Sequence, residues 1–372
     1  MKKNLKVSKI LWSIGIASLF LTSCLFVSCN SKKEKKAELA TLIFSNSSGS
    51  AYTPLYNISV ADGLTEKYGL KPKIELIDDS MGPLQTGKID GRINNLTKPL
   101  IAGGNGADIY IFVGTMGGGH IVYANKKIAD KVRDPKNWKG YKVGLATQVT
   151  SQLVLNSFLK EAYGYTNDDI DFKYLDSDPA AIGVCSKGEV DITSVYYSQR
   201  ELAESQGLVE IAELVDYSPD YACCRQAANG KSFRKNRQLY VAWSKGLIEA
   251  WKIYNNDENR TIEIIQEITH QDEEWVRNHI YDAKGTAHIT FNPDPYYNGV
   301  LKQYRISVDQ GYINKEHPRP LEEYFDISVY ADALKEVIAE HPGDQFYKDM
   351  WVYFVAHNDK YPGFAEKYPE TL

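Results

Sequence analysis

Two short polar stretches carry the residue types suited to holding a small ligand. Thr147-Gln148-Val149-Thr150-Ser151 follows the strand-like run Tyr141-Lys142-Val143-Gly144-Leu145 and precedes Leu153, Val154, Leu155, Phe158 and Leu159, which recur at helical spacing through Tyr163. Ser45-Asn46-Ser47-Ser48-Gly49-Ser50 likewise separates Thr41-Leu42-Ile43-Phe44 from a helix expected from about Tyr52. At each, hydroxyls meet a helix start, where unpaired N–H groups and the positive dipole end favour a polar or anionic ligand. Ordinary helix capping by Thr150 or Ser151 is the better account of the first stretch taken alone; two such turns in separate halves suggest facing lips of one cleft.

Other residue patterns exclude more than they suggest. Gly114-Thr115-Met116-Gly117-Gly118-Gly119-His120 lacks the Gly-Lys-Ser/Thr ending of a phosphate loop and is followed by a strand-like run, so it reads as a tight turn at a cleft rim. The seven histidines are scattered; His270, His279 and His288 are nine apart and form no one-turn ligand pair. Cys185, Cys223 and Cys224 show no CxxC or metal spacing, and adjacent cysteines rarely join because the ring is strained, so they read as small buried residues. No cofactor and no metal is implied.

The elements that must position the two turns alternate. Strands are expected at Lys73–Ile77, Gly91–Asn95, Asp108–Val113 and Ile121–Ala124, with short helices at Gly82–Gln85 and Leu96–Ala102. The stretch from Tyr141 to Leu214 reads as a β-α-β-α-β-α-β unit with a mostly parallel sheet and helices on both faces, the ligand lying beyond the carboxyl ends of its strands. From Ser232 helical patterns dominate: a long helix to Tyr254, then 261–269, 273–281, 296–310, 328–341 and 345–357.

With 372 residues, 43% of them hydrophobic, the chain can build more than one core, and two lobes are expected. A formal net charge of -5 gives no reason to expect nucleic acid as a partner. The N-terminus has Lys2, Lys3, Lys6 and Lys9, then the apolar run 10–20 and Leu21-Thr22-Ser23-Cys24, with a second candidate at Phe26-Val27-Ser28-Cys29. This resembles a bacterial lipoprotein signal peptide, with Cys24 or Cys29 as the lipidated residue, residues 1–29 as signal and 30–38 as tether. A plain signal peptide or uncleaved anchor is the alternative; either way the mature protein is expected outside the cytoplasm, lipid-anchored on the first reading.

The order of segments resembles the extracytoplasmic solute-binding lipoproteins of ABC importers, in the group of sulfonate, nitrate, taurine and thiamine-pyrimidine-precursor binders. The likeness is carried by the lipobox, Lys139-Gly140-Tyr141-Lys142-Val143-Gly144 with Thr150-Ser151, Lys187-Gly188-Glu189-Val190-Asp191, Asp220-Tyr221-Ala222-Cys223-Cys224-Arg225-Gln226 and Phe291-Asn292-Pro293-Asp294-Pro295. It implies an α/β type II periplasmic-binding-protein fold with lobes at 39–129 plus 228–372 and at 130–227, crossing near 123–136 and 223–228. It implies a monomer serving an ABC permease and ATPase, without catalysis. The solute contacts implied are Ser47, Ser48, Ser50, Tyr52, Thr115, Met116, Thr147, Thr150, Ser151, Tyr196 and Tyr197. No cationic clamp is expected beside the turns, Arg200 and Arg225 being the nearest candidates, which tilts the expected solute toward a neutral or singly charged heteroaromatic. The competing classes are an enzyme like the thiamine-pyrimidine synthases of this fold, and a surface adhesion or sensing lipoprotein.

Overall fold

The computed structural model describes residues 38–371 apart from 47–52, 78, 94, 147–149, 167, 220 and 282–287. Ten strands form two sheets. They are β1 (Ile43–Asn46), β2 (Lys73–Leu76), β3 (Gly91–Arg92), β4 (Ile109–Gly117), β5 (His120–Asn125), β6 (Lys142–Ala146), β7 (Asp171–Leu175), β8 (Ile192–Tyr196), β9 (Leu208–Glu213) and β10 (Ala222–Asn229). The first sheet has the order β2-β1-β3-β10-β4 and the second β7-β6-β8-β5-β9.

The two sheets share one plan. Three parallel strands lead in each, the fourth runs against them, and the fifth pairs antiparallel to the fourth. The opposed strands are β10 and β5, each contributed by chain arriving from the other sheet. The stretch 141–214 is therefore not the self-contained parallel unit that its alternation predicts: β5 inserts between β8 and β9. The chain changes sheets at Gly118–Gly119 and again within 214–221, a few residues ahead of the expected crossings.

The glycine run is a second difference. It is mostly strand, since β4 continues through Gly117 and only Gly118 and Gly119, with φ of +70° and +84°, turn the chain. Gly114 and Gly117 serve close approach instead. A Cβ on Gly114 would lie 2.3 Å from the Asp294 carbonyl oxygen, and one on Gly117 2.8 Å from Thr290 Oγ1, where the segment 290–294 crosses the strand. Glycine removes the side chain that would hold that segment off.

Most of the helices pack on the first sheet. Phe44 of β1 stacks on Trp243 of the helix Arg237–Asn256 at 4.5 Å, and Trp243 Nε1 donates to Gln226 Oε1 of β10 at 2.7 Å, so one indole ties a strand to the opposed strand two places away. The long helix expected over 232–254 is broken at Asn236 into Gly230–Lys235 and Arg237–Asn256. Asn236 Nδ2 reaches back to Ser232 Oγ at 3.4 Å, the local side-chain bonding by which asparagine competes with helix continuation. On the second sheet, Ser177 Oγ caps the helix Asp178–Lys187 by accepting from the Ala180 N–H, and Gly188 at φ +78° ends it. No helix among the described residues is long and apolar enough to cross a membrane.

Candidate functional site

The carboxyl ends of the parallel strands of both sheets meet. From the first sheet come Asn46 at the end of β1, Arg92 at the end of β3, the helix Thr97–Gly104 that follows it, and Met116 near the end of β4. From the second come Ala146 at the end of β6 with the helix Thr150–Tyr163, the start of the helix Asp178–Lys187 after β7, and Tyr196 at the end of β8. Two side-chain contacts join the sets. Thr97 Oγ1 and Thr150 Oγ1 are 3.4 Å apart, and the Tyr196 hydroxyl donates to Met116 Sδ. The Cys223 carbonyl, where the chain enters β10, accepts from Thr150 Oγ1 at 3.3 Å and from the Leu96 N–H at 3.2 Å.

Among the expected contact residues, Met116 and Tyr196 are thus brought into contact, and Thr150 meets Thr97 of the other set. Ser151 is adjacent and fully buried, its Oγ without a hydrogen-bond partner among the described residues. Thr115 is buried with its hydroxyl committed to the Ile93 carbonyl at 2.7 Å. Tyr197 does not join the group: its ring packs with Ile121, Tyr123 and Ile182, and its hydroxyl donates to the His279 carbonyl at 2.7 Å. The two rings nevertheless touch, meeting edge-on at 4.7 Å, so Tyr197 supports Tyr196 from the core side. Ser47, Ser48, Ser50, Tyr52 and Thr147 lie outside the described residues, as do Cys24 and Cys29; the flanks of the first lip are joined by Asn46 Nδ2 donating to Thr53 Oγ1 at 3.0 Å.

A cation does stand at this site, contrary to the sequence expectation. Arg92 is 4% exposed, its Nε donating to Ser80 Oγ and its Nη1 to the Asn95 carbonyl, each at 3.1 Å. Both partners are neutral. Burial lowers its pKa to about 10, which leaves the guanidinium charged at neutral pH. Asn95, at φ +52°, turns the chain from β3 toward the next helix and accepts from the Lys98 N–H at 3.0 Å. Nothing in the local sequence Gly91-Arg92-Ile93 marks the arginine; only its place beside β1, where Ser45 pairs with it, puts it at the lip.

The opposite wall is acidic and aromatic. Asp178 accepts the Tyr196 N–H at 2.9 Å, and burial raises its carboxyl to about 6 despite that bond. Burial raises the Tyr196 and Tyr221 phenols far out of the physiological range. His120 Nδ1 lies 3.0 Å from Tyr221 Oη, its ring meets Tyr196 edge-on at 5.3 Å, and burial holds its pKa down to about 4, so it is neutral. Cys223 and Cys224 are free thiols with their sulfurs 3.4 Å apart, brought near by the irregular register of β10. Their interaction pushes the Cys223 thiol up and the Cys224 thiol down, and the Asn95 N–H, Arg225 and Arg92 assist the latter.

Among the described residues, the only group of three metal-ligating side chains close enough to share an ion is Glu249, Glu340 and His341, and Lys67 and Lys245 already pair its carboxylates. That group sits on the helices of the first sheet, away from the strand ends.

No family model matches the sequence, and no curated protein matches it. Solved structures do. The periplasmic nitrate-binding protein NrtA from Synechocystis PCC 6803 superimposes with a TM-score of 0.65 at 15% identity, over 84% of this chain and 91% of that one. A putative sulfonate ABC transporter periplasmic sulfonate-binding protein, SsuA from Methylobacillus flagellatus KT, gives 0.64 at 18% identity, over 81% and 95%. The desulfurization enzyme DSZB shares the fold more distantly, with 0.56 at 12% identity over 80% and 99%. The first two are the kinds of protein that the segment order resembles, and at such identities the likeness is one of fold. The chain has the two-lobed α/β fold of the periplasmic binding proteins, with a cleft between its two mixed sheets.

Proposed function

We propose that the chain is the solute-binding component of an ABC importer, working outside the cytoplasm and anchored through Cys24 or Cys29. A small polar or singly charged solute is captured between the lobes, and their closure signals the loaded state to a permease and ATPase. The lobe assignment that goes with this reading places residues up to about Gly118 and from about Tyr221 onward with the first sheet, and the residues between with the second. The observation that supports the reading is that strand-end residues of the two sheets touch, Thr97 with Thr150 and Met116 with Tyr196, with the buried Ser151 hydroxyl next in the chain left without a hydrogen-bond partner among the described residues.

Arg92 shifts the expected solute. A buried guanidinium whose hydrogen-bond partners among the described residues are neutral, with Asp79 acting on it only through space, favours an anionic or zwitterionic head group, with Tyr196 against the organic part. Sulfonates, taurine, nitrate and singly charged pyrimidines all fit that description. The testing experiment is a thermal-shift and calorimetric panel of these compounds on the protein lacking residues 1–30. Saturable binding without turnover supports the reading. Conversion of any panel compound, or stabilisation that persists unchanged in Ser151→Ala combined with Tyr196→Ala, would count against it.

A further inference from the structure

A second cavity lies beside the crossings between sheets. It encloses about 310 Å³ and is bounded by Gly117 and Gly118 of the first crossing, Val215, Pro219 and Tyr221 of the second, and the segment 288–296 that bridges β4. Its size is at the small end of ligand sites. Arg225 forms part of its wall, as do Tyr296, Tyr353 and His357.

Arg225 is 4% exposed and donates from Nε to the Pro295 carbonyl at 2.7 Å and from Nη1 to the carbonyls of Met116 at 3.0 Å and Cys224 at 2.7 Å. Each acceptor is neutral. Asp294 is the nearest opposing charge, but Asn358 Nδ2 donates to both its oxygens at 3.1 and 3.2 Å and the Tyr296 N–H to one at 2.7 Å, and it makes no ion pair with Arg225. Nη2 of Arg225 has no hydrogen-bond partner among the described residues. The rest of the guanidinium is held by carbonyls, and Nη2 stays open enough to offer a charge-assisted bond to an anion that replaces water there.

One side of the wall is aromatic, beside the polar Thr290, Asn292 and Asp294. The Tyr353 and His357 rings stack at 3.7 Å, Tyr296 meets His357 edge-on at 5.0 Å, and the Arg225 guanidinium lies 5.6 Å from the Tyr296 ring centre. His357 Nδ1 is held by the Tyr353 carbonyl at 2.8 Å, which leaves Nε2 as the ring's outward nitrogen. Asp294 attracts Arg225, but burial raises its carboxyl to about 7, so it offsets the cation only in part; a singly charged ligand completes the balance, and flat walls call for a flat apolar body. We propose that this cavity is a binding site for a small aromatic monocarboxylate, separate from the cleft at the strand ends and seated where the chain passes between lobes. The carboxylate meets Arg225 Nη2 and the ring lies against Tyr296 and Tyr353.

The test uses the full chain with benzoate as probe, benzamide as its uncharged counterpart and inorganic phosphate as a compact anion, read by calorimetry. Benzoate should bind, with benzamide and phosphate each weaker by about tenfold or more, the scale of losing a charge-assisted bond or the ring contact. Arg225 also supports three carbonyls, so its replacement risks unfolding; Tyr353, 37% exposed, is the safer variant. Tyr353→Ala should weaken benzoate by about tenfold with an unchanged melting temperature in the absence of probe, whereas Arg92→Gln should leave benzoate affinity as it was. Benzamide binding as well as benzoate would overturn the proposal. So would no benzoate binding at millimolar concentration, or loss in Arg92→Gln with retention in Tyr353→Ala.

Discussion

Thr97 and Thr150, the first residues of two helices that follow β3 of one sheet and β6 of the other, touch through hydroxyl oxygens 3.4 Å apart over the Cys223 carbonyl. This is one of several contacts made across the sheets, with Tyr196 on Met116 and Gln310 Nε2 donating to the Leu153 carbonyl at 3.0 Å. The lobes are therefore drawn together in this structure, and a solute gains affinity only to the extent that it favours this arrangement over an open one. Thr150→Val keeps the shape and removes the hydroxyl. We predict a loss of about 1 kcal/mol in closure, seen as solute binding weaker by roughly fivefold in calorimetry, with little change in melting temperature of the unliganded protein. Unaltered affinity would show that this contact plays no part in capture.

Arg92 supplies the second prediction. If its guanidinium holds the solute's charged head, Arg92→Gln should weaken an anionic solute by about a hundredfold, the scale of a buried charge-assisted bond. Arg92→Lys should recover only part, because a point charge on a flexible stem cannot reproduce the fork that bonds Ser80 and Asn95 while presenting a further N–H. Affinity of the parent protein should fall only modestly with salt, since a buried pair is poorly screened. A steep salt dependence, or equal affinity in Arg92→Gln, would remove Arg92 from the site.

That residue also shows where the sequence stops being legible. The alternation of strand and helix, the two polar turns and the helical C-terminal half are written in local periodicity, so most elements fall within a few residues of expectation. β10 was hidden because Ala222-Cys223-Cys224-Arg225-Gln226-Ala227-Ala228-Asn229 is small, mixed and lacks alternation; it sits in the middle of a sheet, nearly all buried, with irregular register. The glycines of β4 imitate a loop for a tertiary reason, the segment 290–294 lying across them. Thr97 and Thr150 meet, as do Met116 and Tyr196, only because two separate sheets converge. No spacing along the chain encodes that.

Gly91 gives a prediction that links packing to the site. A Cβ there would lie 2.4 Å from Phe44 Cε1, and Phe44 is wedged against Trp243 at 4.5 Å, so the ring cannot withdraw freely. Gly91→Ala should destabilise the protein by roughly 1–3 kcal/mol, the usual cost of overpacking a filled core, measured as a lower urea midpoint at unchanged slope. Because Gly91 precedes Arg92 in β3, solute affinity should fall with it. Reduced stability with intact affinity would mean that the strand shifts without carrying Arg92 along.

The pH dependence should contain opposed contributions, among them those of His120 on one side and of Asp294, with Asp178 beside it in sign, on the other. His120, held down to about 4 by burial, binds fewer protons folded than unfolded between about 4 and 6.5, so its contribution to stability is present above 6.5 and is lost as pH falls toward 4. Asp294, raised to about 7 by burial against the pull of Asn358, the Tyr296 N–H and Arg225, binds more protons folded than unfolded between about 4 and 7, so it subtracts stability as pH rises through that window. The slopes oppose each other and partly cancel in the parent protein, whose own curve is therefore uninformative. In Asp294→Asn the falling contribution is gone, and we predict that stability gains on the parent as pH rises from 5 to 7.5, by an amount on the order of 1–3 kcal/mol. In His120→Gln the rising contribution is gone, and the variant should gain on the parent as pH is lowered from 6.5 to 5. Urea midpoints at matched ionic strength measure both differences. A variant-minus-parent difference that is flat, or slopes the other way, would show that the group is hydrated in solution and not buried as it stands here.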